Sequence, residues 1–394
     1  LTGVPPQKHA AVCALPRQRL RGLLSMAGEF GHSPVARHFV DLERADEACK
    51  AKGCTPHAVD QATGRLPSGA AGPPRSRRFS FIYTARDDAG GESARRLVAA
   101  VGTLVEWGCA AGVAEVSEVV IVDWGSEVPL MHSATWRRFS SLRCAAFPVR
   151  FLTVPDSISE RFRSEEGRHY LPWAVAQNAA LRRASGELLL LIDQDVCVAS
   201  PFARVLWQEA SGGFRRLRRV WWSSRREGRE EDTAQVLANP MAAEELYLQA
   251  LPFADEVLAG VSGVGAMGVL GLPRDLVWQA GGFDEGMSGY GSEPLEMLSR
   301  MAVEHGEDVV LDLGRVARSP AEVNPFYHIH HRARSTGRPL NVPECRALRD
   351  VIFRDTTAGV SERRRQFLSC LYARYGVRKA EQPLWGLAAE HLPL

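Results

Sequence analysis

The feature that most constrains the fold is an aliphatic run, Leu188 to Ile192, that ends abruptly at Asp193-Gln194-Asp195. Five aliphatic residues with no polar residue between them predict a strand that is buried on both faces, as in a parallel sheet. Open α/β sheets bind their ligands at the carboxyl ends of such strands. In extended backbone Asp193 and Asp195 would point to the same side of the strand.

Two converging carboxylates repel each other unless a cation lies between them. This repulsion and burial both raise the pKa of a carboxyl group. Carboxylate oxygens suit Mg²⁺ or Mn²⁺, and these ions usually also hold phosphate oxygens of a substrate. Asp193 and Asp195 therefore predict a metal site, with an ordinary solvated strand end as the alternative.

The segments around this run predict an α/β domain with a doubly wound, mostly parallel sheet flanked by helices. The predicted strands are Arg78 to Thr84, Ser117 to Ser126 and Cys144 to Val154, and the predicted helices run from about Gly91 to Trp107 and from Trp173 to Gly186. A right-handed β-α-β crossover makes the first two strands parallel, so that their polar ends open on one edge of the sheet. The sequence carries neither the Gly-rich dinucleotide fingerprint nor a P-loop motif.

Composition argues against two classes of partner. The chain has 394 residues, of which 45% are hydrophobic, and a formal net charge of +2. This charge predicts no nucleic-acid partner. No apolar run reaches the roughly 18 to 20 residues that span a bilayer, so we expect no membrane span. The Arg- and Trp-rich segment 214–226 is interpreted as a surface insertion, because the acidic residues of 227–232 cancel its local field.

Pro- and Gly-rich segments divide the chain into three parts. We expect an irregular stem and linker over residues 1–75, the α/β domain over 76–335 and a helical extension over 336–394. The eight cysteines show no zinc spacing, although Cys49 and Cys54 could bridge in an oxidising compartment. The sequence starts at Leu1, so an upstream anchor could be missing. In that case the Golgi or another secretory lumen is favoured, and otherwise the cytoplasm.

Two later segments carry further candidate site residues. The glycines of 260–282, including Gly265, permit close approach of backbone to a ligand. Further on, His328 and His331 are three residues apart, and on a turn this spacing places both imidazoles on one side. A regular strand would instead pair His328 with His330. Solvated histidines are the alternative.

In this order, the segments resemble the nucleotide-sugar glycosyltransferases of the GT-A fold, family 2-like, with a C-terminal motif of the inverting galactosyltransferase type. The resemblance covers roughly Arg78 to Arg334. The matching residues are Asn178, Ala184, Gly186, Asp193 and Asp195, followed by Gly281, Gly282, Phe283, Asp284, Glu285, Tyr290, Gly291 and Glu293. The resemblance implies a UDP-sugar or similar nucleotide-sugar donor, a hydroxyl acceptor on a glycan, glycoprotein or other molecule, and Mn²⁺ or Mg²⁺ as cofactor.

The resemblance also implies roles for individual residues. Asp195 and a histidine would hold the metal, with His331 the best match and His328 a second candidate, while Asp193 would share the metal or contact the ribose. Trp124 would stack on the base and Asp123 would hydrogen-bond to it. The other expected substrate contacts are Thr84, Arg86, Asp88, Asn178, Gly265, Asp284 and Tyr290.

The acidic helix departs from the family pattern. Pro294 stands where many relatives carry an aspartate as the catalytic base. Either Glu293 has taken that role, Glu296 supplies it one turn later, or the domain is a non-catalytic relative that binds a sugar nucleotide or glycan. A sugar-phosphate nucleotidyltransferase is a further alternative, although the loop after the first strand is only a weak version of the Gly-rich basic loop it would need.

Overall fold

The computed structural model describes residues 78–87, 91–140, 147–162, 171–200, 202–203, 205–206, 220–224, 226–249, 267–287, 292–306, 310–312, 326–331, 345, 360–375, 385–388, 390 and 392. The expected stem and linker, the Cys49 and Cys54 pair, and the site candidates Asp88, Gly265 and Tyr290 lie outside these residues.

The strands and helices follow one another along the chain in the alternating order that the sequence predicts. The strands are β1 (Phe79–Ala85), β2 (Ser117–Trp124), β3 (Val149–Val154), β4 (Leu188–Ile192), β5 (Val196–Val198), β6 (Val220–Ser224), β7 (Arg226–Glu227), β8 (Met267–Pro273), β9 (Val310–Asp312) and β10 (Phe326–His328). The α-helices are α1 (Glu92–Ala110), α2 (Ala134–Ser140), α3 (Asp156–Ser159), α4 (Trp173–Arg183), α5 (Glu230–Ala238), α6 (Ala242–Gln249), α7 (Arg274–Ala280), α8 (Glu293–His305) and α9 (Val360–Tyr375). Short 3₁₀ turns cover Ala114–Val116, Leu130–His132 and Glu160–Phe162.

Among the described residues, the main sheet has seven strands in the order β3-β2-β1-β4-β8-β6-β9. Strands β3, β2, β1 and β4 are mutually parallel, whereas β8 runs antiparallel to both β4 and β6. In the register Ala85 lies beside Asp123, so the ends of β1 and β2 meet at one edge. The predicted α/β fold with a doubly wound, mostly parallel sheet is confirmed.

Both faces of the sheet are buried, which explains why β4 is aliphatic at every position. Leu188, Leu190 and Ile192 pack into the core layer beneath α1 and α2. Leu189 and Leu191 point the opposite way, into the layer formed with α4, α7 and α8. Because side chains alternate along a strand, a strand covered by helices on both sides needs apolar residues without interruption.

The interpretation of 214–226 as a surface insertion is wrong for the part that the structure describes. Val220–Ser224 forms β6, which pairs with β8 on one side and β9 on the other. Cancellation of charge by the following acidic residues says nothing about strand pairing. The Val-Trp-Trp sequence within this segment has high β-propensity, which favours a strand.

The described residues after position 336 pack against the α/β fold in two places. Helix α9 lies against α8, and a disulfide joins Cys345 to Cys370 of α9. Further on, Trp385 and Leu392 are buried in the core layer that includes α4. No helix among the described residues combines the length and apolar character required to cross a bilayer.

The buried Glu118 carboxylate links the amino ends of neighbouring strands by hydrogen bonds, at the edge of the sheet opposite the one where ligands are expected. Glu118 on β2 accepts hydrogen bonds from the Ser80 hydroxyl and from the amide and hydroxyl of Ser185, at 2.7 to 2.8 Å. Arg150 on β3 pairs with its second oxygen at 3.0 Å. Burial alone would raise the pKa of Glu118, but these hydrogen bonds and the Arg150 charge hold it below its ordinary value of 4.5.

Replacing Glu118 by glutamine should therefore destabilise the fold by about 3 kcal/mol near neutral pH, because Arg150 loses its buried partner. The pKa of Glu118 is depressed in the folded state, so its contribution is complete above the unfolded pKa and is lost as the pH falls through the folded value. Urea unfolding at several pH values should show the gap between wild type and Glu118→Gln closing in acid. Glu362→Gln, which removes an exposed pair with Arg365, should change stability by less than about 0.5 kcal/mol.

Candidate metal centre

The chain turns sharply where the aliphatic strand ends. The Val196 amide donates to the carbonyl of Asp193 at 3.1 Å, and β5 then joins a second, three-stranded sheet in the order β5-β10-β7. The expectation that Asp193 and Asp195 share one extended strand is therefore wrong. The turn leaves Asp193 at the end of the main sheet and carries Asp195 over to the small sheet.

Three side chains converge on the small sheet. One oxygen of Asp195 lies 2.9 Å from Nε2 of His331, and the other lies 3.4 Å from Nε2 of His328. The three ligand atoms all lie within 4.8 Å of one another. Asp195 and His328 are buried, whereas the His331 side chain is 32% exposed. The cluster is thus enclosed on the protein side and open at His331.

The backbone around the histidines fixes this arrangement. Strand β10 runs antiparallel to β5, with His328 beside Val196, and the Ile329 amide donates to the carbonyl of Asp195 at 2.8 Å. The chain leaves the strand after His328, so His331 turns back toward Asp195. His330 lies elsewhere and its carbonyl accepts a hydrogen bond from Thr233 at 3.0 Å. A regular strand that would pair His328 with His330 does not form, because β10 ends at His328.

Gly228 and helix α1 support the small sheet from its two sides. A Cβ on Gly228 would lie 2.5 Å from the His328 carbonyl oxygen, so only glycine allows this approach. On the other side the Thr103 hydroxyl of α1 accepts a hydrogen bond from the Val198 amide at 2.9 Å. Cys197, between the site and α1, is buried, and burial raises the pKa of its thiol to about 12. It is a core residue, as the sequence predicts, and carries no thiolate near neutral pH.

The donor set fits a divalent transition metal better than magnesium. One carboxylate oxygen and two imidazole nitrogens are available from Asp195, His328 and His331. Mg²⁺ prefers oxygen ligands in near-octahedral geometry, whereas Mn²⁺ tolerates mixed oxygen and nitrogen sets and Zn²⁺ and Fe²⁺ favour imidazole. Asp193, which was expected to be a possible fourth ligand, is not part of this three-residue group.

The edge formed by β1 and β2 carries a second polar group. The Ser126 hydroxyl donates to Asp123 and accepts from the Asp87 amide, and the Leu130 amide donates to the other Asp123 oxygen at 2.7 Å. Burial raises the pKa of Asp123 and the nearby charge of Asp87 adds to this rise, although the hydrogen bonds from Ser126 and Leu130 oppose it. Asp123 thus shapes the loop after β2, and its expected contact with a base remains a prediction.

Thr84 and Arg86 also lie at the edge, at the end of β1. The Thr84 hydroxyl is buried and accepts a hydrogen bond from Gln177 of α4 at 3.2 Å. Arg86 is partly buried. Both residues thus lie at the end of β1, and their expected contacts with a substrate stay predictions.

Two residues expected to contact substrate are buried in the protein. The Trp124 side chain is 0% exposed and meets Phe162 edge-on at 5.4 Å, so it is not free to stack on a base. Asn178 on α4 is also 0% exposed, and its amide exchanges two hydrogen bonds with the backbone of Phe283. Both predictions are corrected: Trp124 belongs to the core layer, and Asn178 holds a loop.

Of the two candidate bases on α8, Glu296 is engaged elsewhere. It is 1% exposed, pairs with Arg300 at 2.8 Å and accepts the Tyr372 hydroxyl at 2.7 Å. Burial alone would lower the pKa of Arg300, but the charge of Glu296 raises it; burial and Glu296 together raise the pKa of Tyr372. Arg300 also donates to the carbonyls of Ala280 and Gly282. Glu296 is therefore a structural residue, and the alternative that makes it the base is corrected.

Glu293 is the first residue of α8 and is 4% exposed, following Ser292 in a left-handed conformation with φ of 74°. In the loop after α7, Asp284 accepts a hydrogen bond from the Gly286 amide. Sequence reasoning missed the residues that hold this loop, Glu285 and Gly386. The only sequence signal was Glu285 within the matching motif, and nothing pointed to Gly386.

Comparison with known proteins finds similar solved structures at low sequence identity. No protein-family model matches the chain, and no curated protein matches it. Residues 1–349 of S. aureus TarS in complex with UDP-GlcNAc are 12% identical with a TM-score of 0.42, covering 78% of this chain and 75% of that chain. A mycobacterial protein is 15% identical with a TM-score of 0.38, covering 78% and 77%.

A third solved structure, the galactosyltransferase LgtC in complex with donor and acceptor sugar analogues, is 15% identical with a TM-score of 0.31. It covers 74% of this chain and 95% of that chain. At such low identity and TM-score these likenesses do not identify an activity for the chain.

Proposed function

We propose that this protein is a metal-dependent glycosyltransferase that moves a sugar from a nucleoside-diphosphate sugar, a UDP-sugar, to an acceptor hydroxyl. The observation that carries the proposal is the convergence of Asp195, His328 and His331 directly after β4. Asp195 follows the carboxyl end of a central strand, and open α/β sheets bind nucleotides at such strand ends, which supports the proposal. The order of motifs that resembles GT-A enzymes supports the same function.

In the proposed chemistry the metal ion would neutralise charge, and side chains of the protein would orient the substrate. Mn²⁺, favoured over Mg²⁺ by the two imidazoles, would neutralise the negative charge that develops on the departing nucleoside diphosphate. Asp193, at the end of the main sheet, would orient the ribose. The edge beside Asp123 and Ser126 would receive the base.

Glu293 would accept the proton of the acceptor hydroxyl as that oxygen attacks the anomeric carbon, which predicts inversion of configuration. Its position at the first residue of α8 supports this role, because Glu296 one turn later is already committed to Arg300 and Tyr372. Negatively charged side chains are stabilised near the amino end of a helix, where the positive end of the helix dipole lies.

A binding relative without turnover is the second candidate, and Pro294 is the specific feature that favours it. Calorimetry with UDP, with and without Mn²⁺, combined with a hydrolysis and transfer assay on a panel of UDP-sugars, separates the candidates. We expect UDP to bind at least tenfold more tightly with Mn²⁺ and donor turnover to stop with a chelator. Tight binding with no turnover would favour the binding relative, and absence of binding would overturn both.

The same assay tests the nucleotidyltransferase alternative. That enzyme would release pyrophosphate from UTP and a sugar 1-phosphate, whereas a glycosyltransferase would release UDP from a UDP-sugar. We expect UDP release alone.

The disulfides support a secretory compartment for this activity. Cys345 is bonded to Cys370, and Cys109 is also in a disulfide. Disulfides persist in oxidising compartments and are rare in the cytosol. A transferase working in a secretory lumen would meet glycan or glycoprotein acceptors there.

A further inference from the structure

Residues near the C-terminus meet helix α4 and the loop that follows α7 at a joint that the sequence does not predict. The tail segment comprises the described residues 385–388, 390 and 392. The Gly386 amide donates to Oε1 of Glu285 at 2.7 Å, and the Asn178 side chain donates to the same oxygen at 2.9 Å. One carboxylate oxygen therefore ties the tail segment and α4 to the loop that follows α7.

The joint is packed too closely for any residue but glycine at two positions. Gly386 has a φ of +68°, and a Cβ there would lie 2.5 Å from the backbone oxygen of Asn178. Gly282 has a φ of +75°, and its Cβ would lie 2.5 Å from the Asn178 side-chain oxygen and 2.9 Å from the Trp385 ring. Positive φ and contact with backbone both penalise a side chain at such a position.

Two arginines of α4 anchor the tail segment. Arg183 donates to the carbonyls of Gly386 and Leu387 at 2.8 Å and to that of Glu390 at 3.0 Å. The Arg182 guanidinium lies 5.2 Å from the Trp385 ring centroid, in the range of a cation–π contact. These charge-assisted contacts hold the backbone of the tail in one register against α4.

We propose that the tail segment is a positioning element of the site, acting through Gly386 and Glu285 on the loop that carries Asp284 and leads to Glu293. This inference rests on the proposed transferase function. The loop is held from outside by Asn178, Gly386 and Arg300, so the joint at Gly386 contributes to its position. A displacement of about 1 Å at a reacting group can cost a hundredfold in rate, whereas a donor bound at the metal cluster would be unaffected.

The test compares Gly386→Ala, which forces the joint apart, with Arg161→Ala, which removes an exposed contact of the same tail to Glu390. We expect Gly386→Ala to lower kcat about tenfold to a hundredfold, with the donor KM and the affinity for Mn²⁺ and UDP within about twofold of wild type. Hydrogen–deuterium exchange over 281–287 should become faster in the same variant. Arg161→Ala should match wild type in both measurements.

A second pair of variants covers the case in which Gly386→Ala does not fold. Glu285→Ala removes the shared acceptor without adding an atom and should lower kcat and speed exchange in the same way. Glu285→Gln keeps a side-chain oxygen at the same distance from the backbone. Its kcat and its exchange rate over 281–287 should both be close to those of wild type. A merely structural role would change thermal stability but not the kcat of the folded protein.

The exchange measurement keeps this inference separate from the proposed function. If the wild-type protein shows no donor turnover, the transferase proposal fails, and exchange over 281–287 alone decides whether the tail positions the loop. Unchanged exchange in both Gly386→Ala and Glu285→Ala overturns the inference, as does unchanged kcat in the folded variants. Faster exchange confined to these variants supports it.

Discussion

Asp195→Asn should abolish Mn²⁺ binding and donor turnover while leaving the fold intact. The substitution preserves the shape of the side chain but removes the only carboxylate of the three-residue cluster. A neutral amide is a poor ligand for a hard divalent cation, and the two imidazoles alone supply no negative charge. We expect Mn²⁺ affinity to fall at least a hundredfold and turnover to fall to background, measured by calorimetry and by the donor assay.

Asp193→Asn is the informative comparison, because Asp193 sits next to the turn but outside the cluster. It should retain Mn²⁺ binding in the absence of nucleotide and weaken the binding of UDP, since its expected partner is the ribose. If instead Asp193→Asn loses Mn²⁺ affinity as completely as Asp195→Asn, both carboxylates hold the metal and the ribose assignment is wrong. Retention of Mn²⁺ affinity in Asp195→Asn would overturn the metal centre.

The sequence predicted the members of the Asp195, His328 and His331 cluster better than the geometry that joins them. Asp195, His328 and His331 were singled out from local spacing, and the structure brings them together across more than a hundred residues. The turn after Asp193 could not be predicted from a rule for extended strands, because it depends on pairing between β5 and β10. Spacing thus singled out the carboxylates and imidazoles, and tertiary pairing decided which carboxylate joins the two histidines.

The error at Trp124 has a different cause and was avoidable. Alternation along β2 places Trp124 on the same face as Val120 and Val122, and that face packs against helices. Because side chains alternate along a strand, the indole two positions after Val122 lies in the core rather than at the sheet edge. By contrast, the partners of Asn178 and the bond between Cys345 and Cys370 join distant segments, and no local pattern encodes them.

Glu293→Gln should remove transfer while leaving the metal and the nucleotide bound. Glutamine keeps the size and the hydrogen-bonding reach of the side chain but cannot accept a proton at neutral pH. General-base catalysis contributes about 10² to 10⁴ in rate, so we expect kcat to fall about a thousandfold with donor KM and Mn²⁺-dependent UDP binding unchanged. Steady-state transfer kinetics and calorimetry measure the two parts of this expectation independently.

Glu296→Gln is the matched control on the same helix, since it alters an equally buried carboxylate one turn further on. It weakens the pairing with Arg300 and the hydrogen bond from Tyr372, so we expect a loss of stability of about 2 to 4 kcal/mol. The folded protein should keep a kcat far above that of Glu293→Gln.

The two variants together decide whether α8 supplies the base. If Glu293→Gln keeps substantial turnover and the product is inverted, the proton passes to a group elsewhere in the site. If turnover survives and the anomeric configuration of the product is retained, no general base of this kind is required and the inverting mechanism is wrong. Loss of transfer confined to Glu293→Gln would show that the carboxylate at the first residue of α8 is the base, even though proline follows it at position 294.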